Sequence, residues 1–271
     1  MKLPDISSNR TASFLLLCTG AVLIALAILV PRDAMMAAAL VITGGICFFS
    51  GIFVLTYSTE DSFAPRYAAL LPVTQSITTT RIAADLGIVG NAYFLPQKFH
   101  AGSGVVLYVP VSGYDNLPVK GNRSFVVSGC GGMILSPSCN ALLASLIEKQ
   151  GLTIPSDSGG FDNLVKELAQ DVLECSPALS VVREDDLVTV TMASYVLAVG
   201  CREIAKESPR CCIVSPCPVC SLFGVLLAES EKKPVELERC EISKKNDVTV
   251  LYRVLIPGTP SPRDEGPGNS G

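Results

Sequence analysis

Two stretches of the chain, Thr11 to Val30 and Met35 to Tyr57, contain no charged residue, and only Pro31-Arg32-Asp33-Ala34 separates them. An apolar run of about 20 residues, coiled into a helix rising about 1.5 Å per residue, matches a hydrocarbon core about 30 Å thick. With so short a connection the two runs predict an antiparallel pair of membrane-spanning helices, with both ends on the same side. The competing reading is a secretory signal followed by a buried helix. A signal has a shorter apolar region and a small-residue cleavage site, whereas here a second span follows after four residues. Composition agrees with partial residence in lipid: 49% of the residues are hydrophobic and 17% charged, and the mean hydropathy is +0.44.

Charge and cysteine usage speak to the side. The N-terminal flank, residues 1–10, carries Lys2, Arg10 and an amino group against Asp5, while the turn has Arg32 beside Asp33. The positive-inside rule then places both termini, and the soluble part, in the cytoplasm of a multi-pass cell-membrane protein. Nine of the eleven cysteines lie beyond the second span, an odd number without regular disulfide spacing, as expected for a reducing compartment. The net charge of −4, the absence of Trp and the scattered Lys and Arg leave no basic footprint for nucleic acid. The partners expected are the lipid bilayer, a membrane or cytoplasmic protein, and a small hydrophobic ligand.

After the transmembrane hairpin (residues 11–57), residues 58–65 read as a short acidic exit with Glu60 and Asp61. Residues 66–256 are long enough to bury one core, and PGTPSPRDEGPGNSG at 257–271 has almost nothing to bury and reads as a disordered tail. Within the domain, helices are expected at Thr74 to Leu86, Phe161 to Leu173, Tyr195 to Glu207 and Ser221 to Glu229, and after a Ser136 N-cap with Pro137 at the first helical position and Gly151 as the stop. Strands are expected at Val105 to Val111, Ser124 to Ser128 and Leu187 to Ala193, with a hairpin of Pro234 to Ile242 and Val248 to Leu255. This mixture predicts the α+β class. One echo, SPSCNALLASLIE against SPCPVCSLFGVLLAE, reads either as two related half-units, each a strand, a cysteine-bearing turn and a helix, or as two helices with similar capping needs.

The stretch CCIVSPCPVC, Cys211 to Cys220, holds four cysteines in ten residues. Cys217 and Cys220 stand where a loop becomes a helix, so their sulfurs can meet and the helix N-terminus can stabilise a thiolate. Zinc would need four ligands about 2.3 Å away, with the remaining donors drawn from Cys211, Cys212 and Cys240 or, farther off, Cys130, Cys139, Cys175 and Cys201. The same CPVC pair, Cys217 and Cys220, could instead serve as attacking and resolving thiols of a membrane-tethered thiol-disulfide oxidoreductase. As a third reading, the thiols are small apolar side chains in the core of a structural subunit, as Cys18 and Cys47 in the spans are read to be.

From about Tyr195 to Val254 the order of helix, short apolar stretch, CPVC, apolar helix with Gly224, then VELERCEISKKNDVTVLYRV resembles the end of 4-vinyl reductase domains. That resemblance implies a small-molecule-sensing or accessory α+β domain, with zinc held by Cys217, Cys220, Glu238 and Cys240, and with Cys211 and Cys212 as substitutes. The spacing here is E-x-C where the family has E-x-x-C, and Val248 stands near the place of a further ligand. The layout of two spans followed by a domain with a repeated helix-plus-cysteine element also resembles uncharacterised archaeal two-span membrane proteins.

Other motifs carry less. SGCGG at Ser128 to Gly132 lacks the spacing and lysine of a P-loop and reads as a turn. His100 beside Gly102-Ser103-Gly104 has no nucleophile elbow and reads as a loop. Glu184-Asp185-Asp186 reads as a solvated turn. The expectation is therefore a membrane-anchored cytoplasmic domain that binds a ligand or a metal in a sensory or accessory role, without being catalytic itself.

Overall fold

The computed structural model describes residues 6–29, 34–57, 64–119, 125–126 and 131–256, in two compact units, 1–63 and 64–271. The turn residues Pro31 to Asp33, the start of the N-terminal flank, residues 58–63 of the exit, the tail at 257–271 and Ser128 to Cys130 lie outside the described residues.

The first unit is a pair of 24-residue helices, α1 (Ile6–Leu29) and α2 (Ala34–Tyr57), each long and apolar enough to cross a membrane. They pack antiparallel through glycines. A Cβ on Gly20 would meet the Gly44 carbonyl oxygen at 2.8 Å, and one on Gly51 would meet Leu17 Cγ at 2.9 Å, so the backbones approach as only small residues permit. Phe14, Leu29, Met35 and Phe49 point outward, where lipid would solvate them. Thr19 and Thr56 satisfy their hydroxyls on the carbonyls four residues back, Leu15 and Ile52.

The second unit is an α+β domain. It starts with a helical turn α3 (Pro65–Ala68) and helix α4 (Val73–Asp85), and continues through strands β1 (Tyr93–Leu95), β2 (Val106–Pro110), β3 (Phe125–Val126) and β4 (Gly132–Leu135). Helices α5 (Asn140–Gln150) and α6 (Ser158–Glu167) follow, α6 running on into a π-helical turn at Leu168–Val172. The hairpin β5 (Ala178–Glu184) and β6 (Leu187–Ala193) leads to α7 (Ala198–Glu207), the single turn α8 (Cys211–Val214) and α9 (Pro218–Glu231). The chain closes with β7 (Val235–Ile242) and β8 (Val248–Val254).

Among the described residues, eight strands join one antiparallel sheet in the order β3-β4-β2-β1-β7-β8-β6-β5. Strand alternation sends Phe94, Leu107, Val190, Leu237, Val250 and Tyr252 to the main core, where α9 lies against β1, β7 and β8. Eleven of the fourteen residues of α9 are buried, and Gly224 lets it sit on the Phe94 ring. The other face carries a smaller cluster built on Tyr93, Tyr108 and Tyr114. At the centre of the sheet the buried Asn91 side chain donates to Glu236 Oε1 at 2.9 Å.

Several sequence expectations need correction. Ser136-Pro137 does not begin α5; the helix starts at Asn140 after a turn in which the Asn140 side chain bonds to Ser136 Oγ, with Cys139 at the N-cap. Gly151 stops it as expected, with φ +65°. Gly132 belongs to β4, not to a turn: a Cβ there would strike the Val109 carbonyl oxygen at 2.6 Å. Of the strand expected at Ser124 to Ser128, Phe125–Val126 is seen. Strands β1 and β5 carry no clear signal in the sequence, and β4 stands where the half-unit reading expects a strand without giving its bounds.

Candidate functional site

The local chemistry of α9 begins at its N-terminus. Pro218 occupies the first helical position, where its fixed φ suits the helix and its missing N–H is no loss. Cys217 precedes it as N-cap in extended backbone, and Cys220 falls one turn on, so both sulfurs gather at the helix start. The Tyr252 hydroxyl donates to the Cys220 carbonyl at 2.7 Å and ties this first turn to β8.

Cys240 arrives by way of a bulge. Leu237 faces Tyr252 across the β7–β8 ladder, yet Arg239 faces Leu251 and Cys240 faces Val250, so one extra residue, Glu238, is accommodated. The inserted residue shifts the alternation by one and turns Cys240 toward the core face. Glu238 stays on the opposite face, where it accepts from Arg253 Nε at 2.6 Å; Arg253 also holds Asp186. In a regular strand the E-x-C spacing would put Glu238 and Cys240 on one face. The bulge separates them.

Cys201 is placed by α7, which approaches closely because Gly200 touches the Ala69 carbonyl. Cys212 comes from α8, anchored where the Ala92 N–H donates to the Ile213 carbonyl at 3.1 Å. The stretch before CPVC is thus one helical turn, and the strand expected in the second half-unit is absent; a strand, β4, does precede Cys139.

Five sulfurs then neighbour one another in the order Cys201, Cys217, Cys220, Cys240, Cys212. Hydrogen bonds from the Cys201 and Cys220 thiols hold Cys217 well below the usual thiol range, against burial, with the Cys220 amide and the Tyr195 hydroxyl adding to the effect. Donation from Cys212 and Cys220 brings Cys240 down to about 5. The donors move the opposite way: hydrogen bonding to Cys217 raises Cys201 and Cys220, and hydrogen bonding to Cys240 raises Cys212, with burial reinforcing each. Nearby Cys175 is pushed up to about 11, chiefly by burial.

One end of this row opens on a cavity of ≈ 380 Å³ between the segment around α3 and the helices α7 and α9. Its walls are mostly apolar, with Ala69, Leu197 and Ile204 among them, and Cys201, Cys217 and Tyr195 also line it. Leu71 and Gln75, both exposed, stand at its rim.

The structure therefore brings together three of the four residues singled out for a metal, Cys217, Cys220 and Cys240, and adds Cys212 and Cys201; Glu238 is held elsewhere. Cys211 is buried with Ile204 and Cys212 and lines a different hollow beside Arg81 and Glu207. Cys139 faces Ser221 across the α5–α9 contact, and burial raises its thiol. His100 spends both ring nitrogens on its own loop, Nδ1 accepting from Gly102 N–H and Nε2 meeting the Gly104 carbonyl, each at 2.9 Å. Among the described residues, no three His, Cys, Asp or Glu side chains converge on a point that would hold a metal ion; the row stays open. Sequence reasoning reached the cysteines of α9 and β7, but missed the bulge, Tyr195 and the cavity.

No curated protein and no solved structure matches the chain. The model of the family described as a domain of unknown function, DUF7982, matches residues 5–254, and the chain belongs to that family.

Proposed function

We propose that this chain is a membrane-anchored binding module, with both termini and the α+β domain on the cytoplasmic side, whose thiol row takes up zinc and whose cavity takes up a small apolar ligand. The occupied domain reports to a protein partner and performs no catalysis of its own. The observation that carries this reading is the gathering of five cysteines from three helices and one strand into a row whose end, Cys201 and Cys217, lines an apolar cavity. An all-sulfur donor set suits a soft or borderline cation, and Cys217, Cys220 and Cys240 with Cys212 or Cys201 supply the four donors that zinc takes. Closing the open row into a tetrahedron requires side-chain rotation, which unbridged thiols allow. The resemblance of the C-terminal region to 4-vinyl reductase domains supports the same role.

The test is metal content by mass spectrometry with free-thiol titration, on the full chain in detergent, purified without oxygen or chelator. Near-stoichiometric zinc, with the row's thiols titratable only after chelation, is the expected result. Metal-free protein with all of its thiols open to titration refutes the metal reading. A second reading, thiol-disulfide exchange by Cys217 and Cys220, is favoured by their adjacency at the start of α9, and it requires that Cys217→Ser abolish reduction of a disulfide substrate while the fold persists.

A further inference from the structure

A metal ion on the thiol row needs no chamber. The cavity beside it has the volume of a small organic molecule, and its apolar walls disfavour ions and strongly polar solutes. Of the row's five cysteines, two line this space, Cys201 and Cys217, while Cys220, Cys240 and Cys212 do not. The N-cap position gives Cys217 a helix start for its thiolate, and Tyr195 shares the same wall. An apolar guest here would lie against one nucleophile, with an O–H and a second S–H beside it.

We infer that the cavity is a capture site for small, apolar α,β-unsaturated carbonyl compounds, which Cys217 takes up covalently. The inference deepens the ligand half of the proposed function and rests on that reading. In the step, Cys217 Sγ bonds to the β-carbon and the C=C π pair shifts toward the carbonyl as an enolate. The Cys217 proton leaves to solvent as the thiolate forms, the Cys201 thiol protonates the α-carbon, and Cys201 takes one proton back from solvent. One S–H and one C=C π bond are lost and one C–S and one C–H bond are formed, so no oxidant, reductant or leaving group is involved. Tyr195 is placed to donate to the carbonyl oxygen as charge develops there. The adduct fills the cavity and removes Cys217 from the row, so that a captured electrophile and a metal held through Cys217 exclude each other.

The experiment uses the full chain in detergent after chelation, so that it does not depend on whether zinc is found. The protein is treated with cyclohex-2-enone or, separately, with the charged reagent iodoacetate, and adducts are assigned by peptide mass spectrometry. Cys217 is expected to take up the enone and to resist iodoacetate, and Leu197→Trp, which fills the cavity, is expected to abolish the enone uptake. No enone on Cys217 in the wild-type chain, or equal labelling by both reagents, overturns the inference without need of any variant. Undiminished uptake in a folded Leu197→Trp chain overturns it as well. A zinc-free protein that still captures the enone refutes the metal reading alone, and a zinc protein that does not capture it after chelation refutes the capture alone.

Discussion

Replacing Gly224 by alanine tests the packing that sets the thiol row in place. A Cβ at this position would stand 2.5 Å from Cδ2 and Cζ of Phe94 and closer still to Cε2. Carbon atoms rest at about 3.5–4.0 Å, so one partner must give by more than about 1 Å. Phe94 is wholly buried on β1, with the Tyr252 ring 6.5 Å away between centroids, and has little room to turn. Overpacking of this kind costs about 1–3 kcal/mol, and the better helix propensity of alanine returns about 1 kcal/mol. With a clash this deep the net loss is expected at about 1–2 kcal/mol, a fall in Tm of roughly 2–8 °C for a domain of this size. The chain has no Trp, so far-UV circular dichroism during heating is the suitable assay. The companion change Phe94→Leu, which vacates the contested space, should recover part of the loss in a double-mutant cycle. A Gly224→Ala chain as stable as the wild type would refute the close seating of α9 on β1. Because α9 carries Cys217 and Cys220, lifting it should also change the reactivity of those thiols.

Glu238→Gln should leave any bound metal in place while Cys240→Ser loses it, as metal analysis of the two variants would show; the glutamine variant loses about 1 kcal/mol or less with its half-buried Arg253 pair. Gly151→Ala forces a side chain into the left-handed end of α5 and should cost about 1–2 kcal/mol in thermal unfolding. Asp247 accepts from the Ser194 N–H and the Ser243 hydroxyl, which holds its carboxyl below the ordinary value of 3.8. Its contribution is therefore present above that value and fades as the pH falls through the lower folded one; Asp247→Asn should flatten this part of the acid unfolding curve measured by circular dichroism.

What the sequence discloses and what it conceals divide along physical lines. The two N-terminal helices are visible because they are long charge-free runs, and β6 is visible because Val188, Val190 and Met192 alternate with half-exposed neighbours. Strand β1 has three residues, all buried, because both faces of the sheet are covered there, so it shows no alternation. In β5, the outward Val182 and the inward Val181 blur the pattern, and the hairpin to β6 turns on Asp185 with φ +53°, within what reads as an acidic loop. At the site, Cys217 and Cys220 announce themselves by proximity in sequence. Cys201 and Cys212 join them only through the docking of α7 and α8, and the placement of Glu238 depends on a bulge that VELERCEI does not betray.

Among the described residues the sheet has two runs of four strands that meet where β1 pairs with β7, through Tyr93 opposite Glu236 and Phe94 opposite Val235. The Asn91–Glu236 hydrogen bond at this seam joins residues 145 positions apart. During synthesis, then, the two apolar helices and the first four strands emerge long before β7 exists to close the seam. At about 5–20 residues per second the open edge of β1 waits roughly seven to thirty seconds on the ribosome. For that interval Phe94 has β2 on one side and an open edge on the other, and for most of it no α9 above. A nascent chain of this protein is therefore most vulnerable to edge-to-edge association in the middle of its translation, and a chaperone would serve it best then.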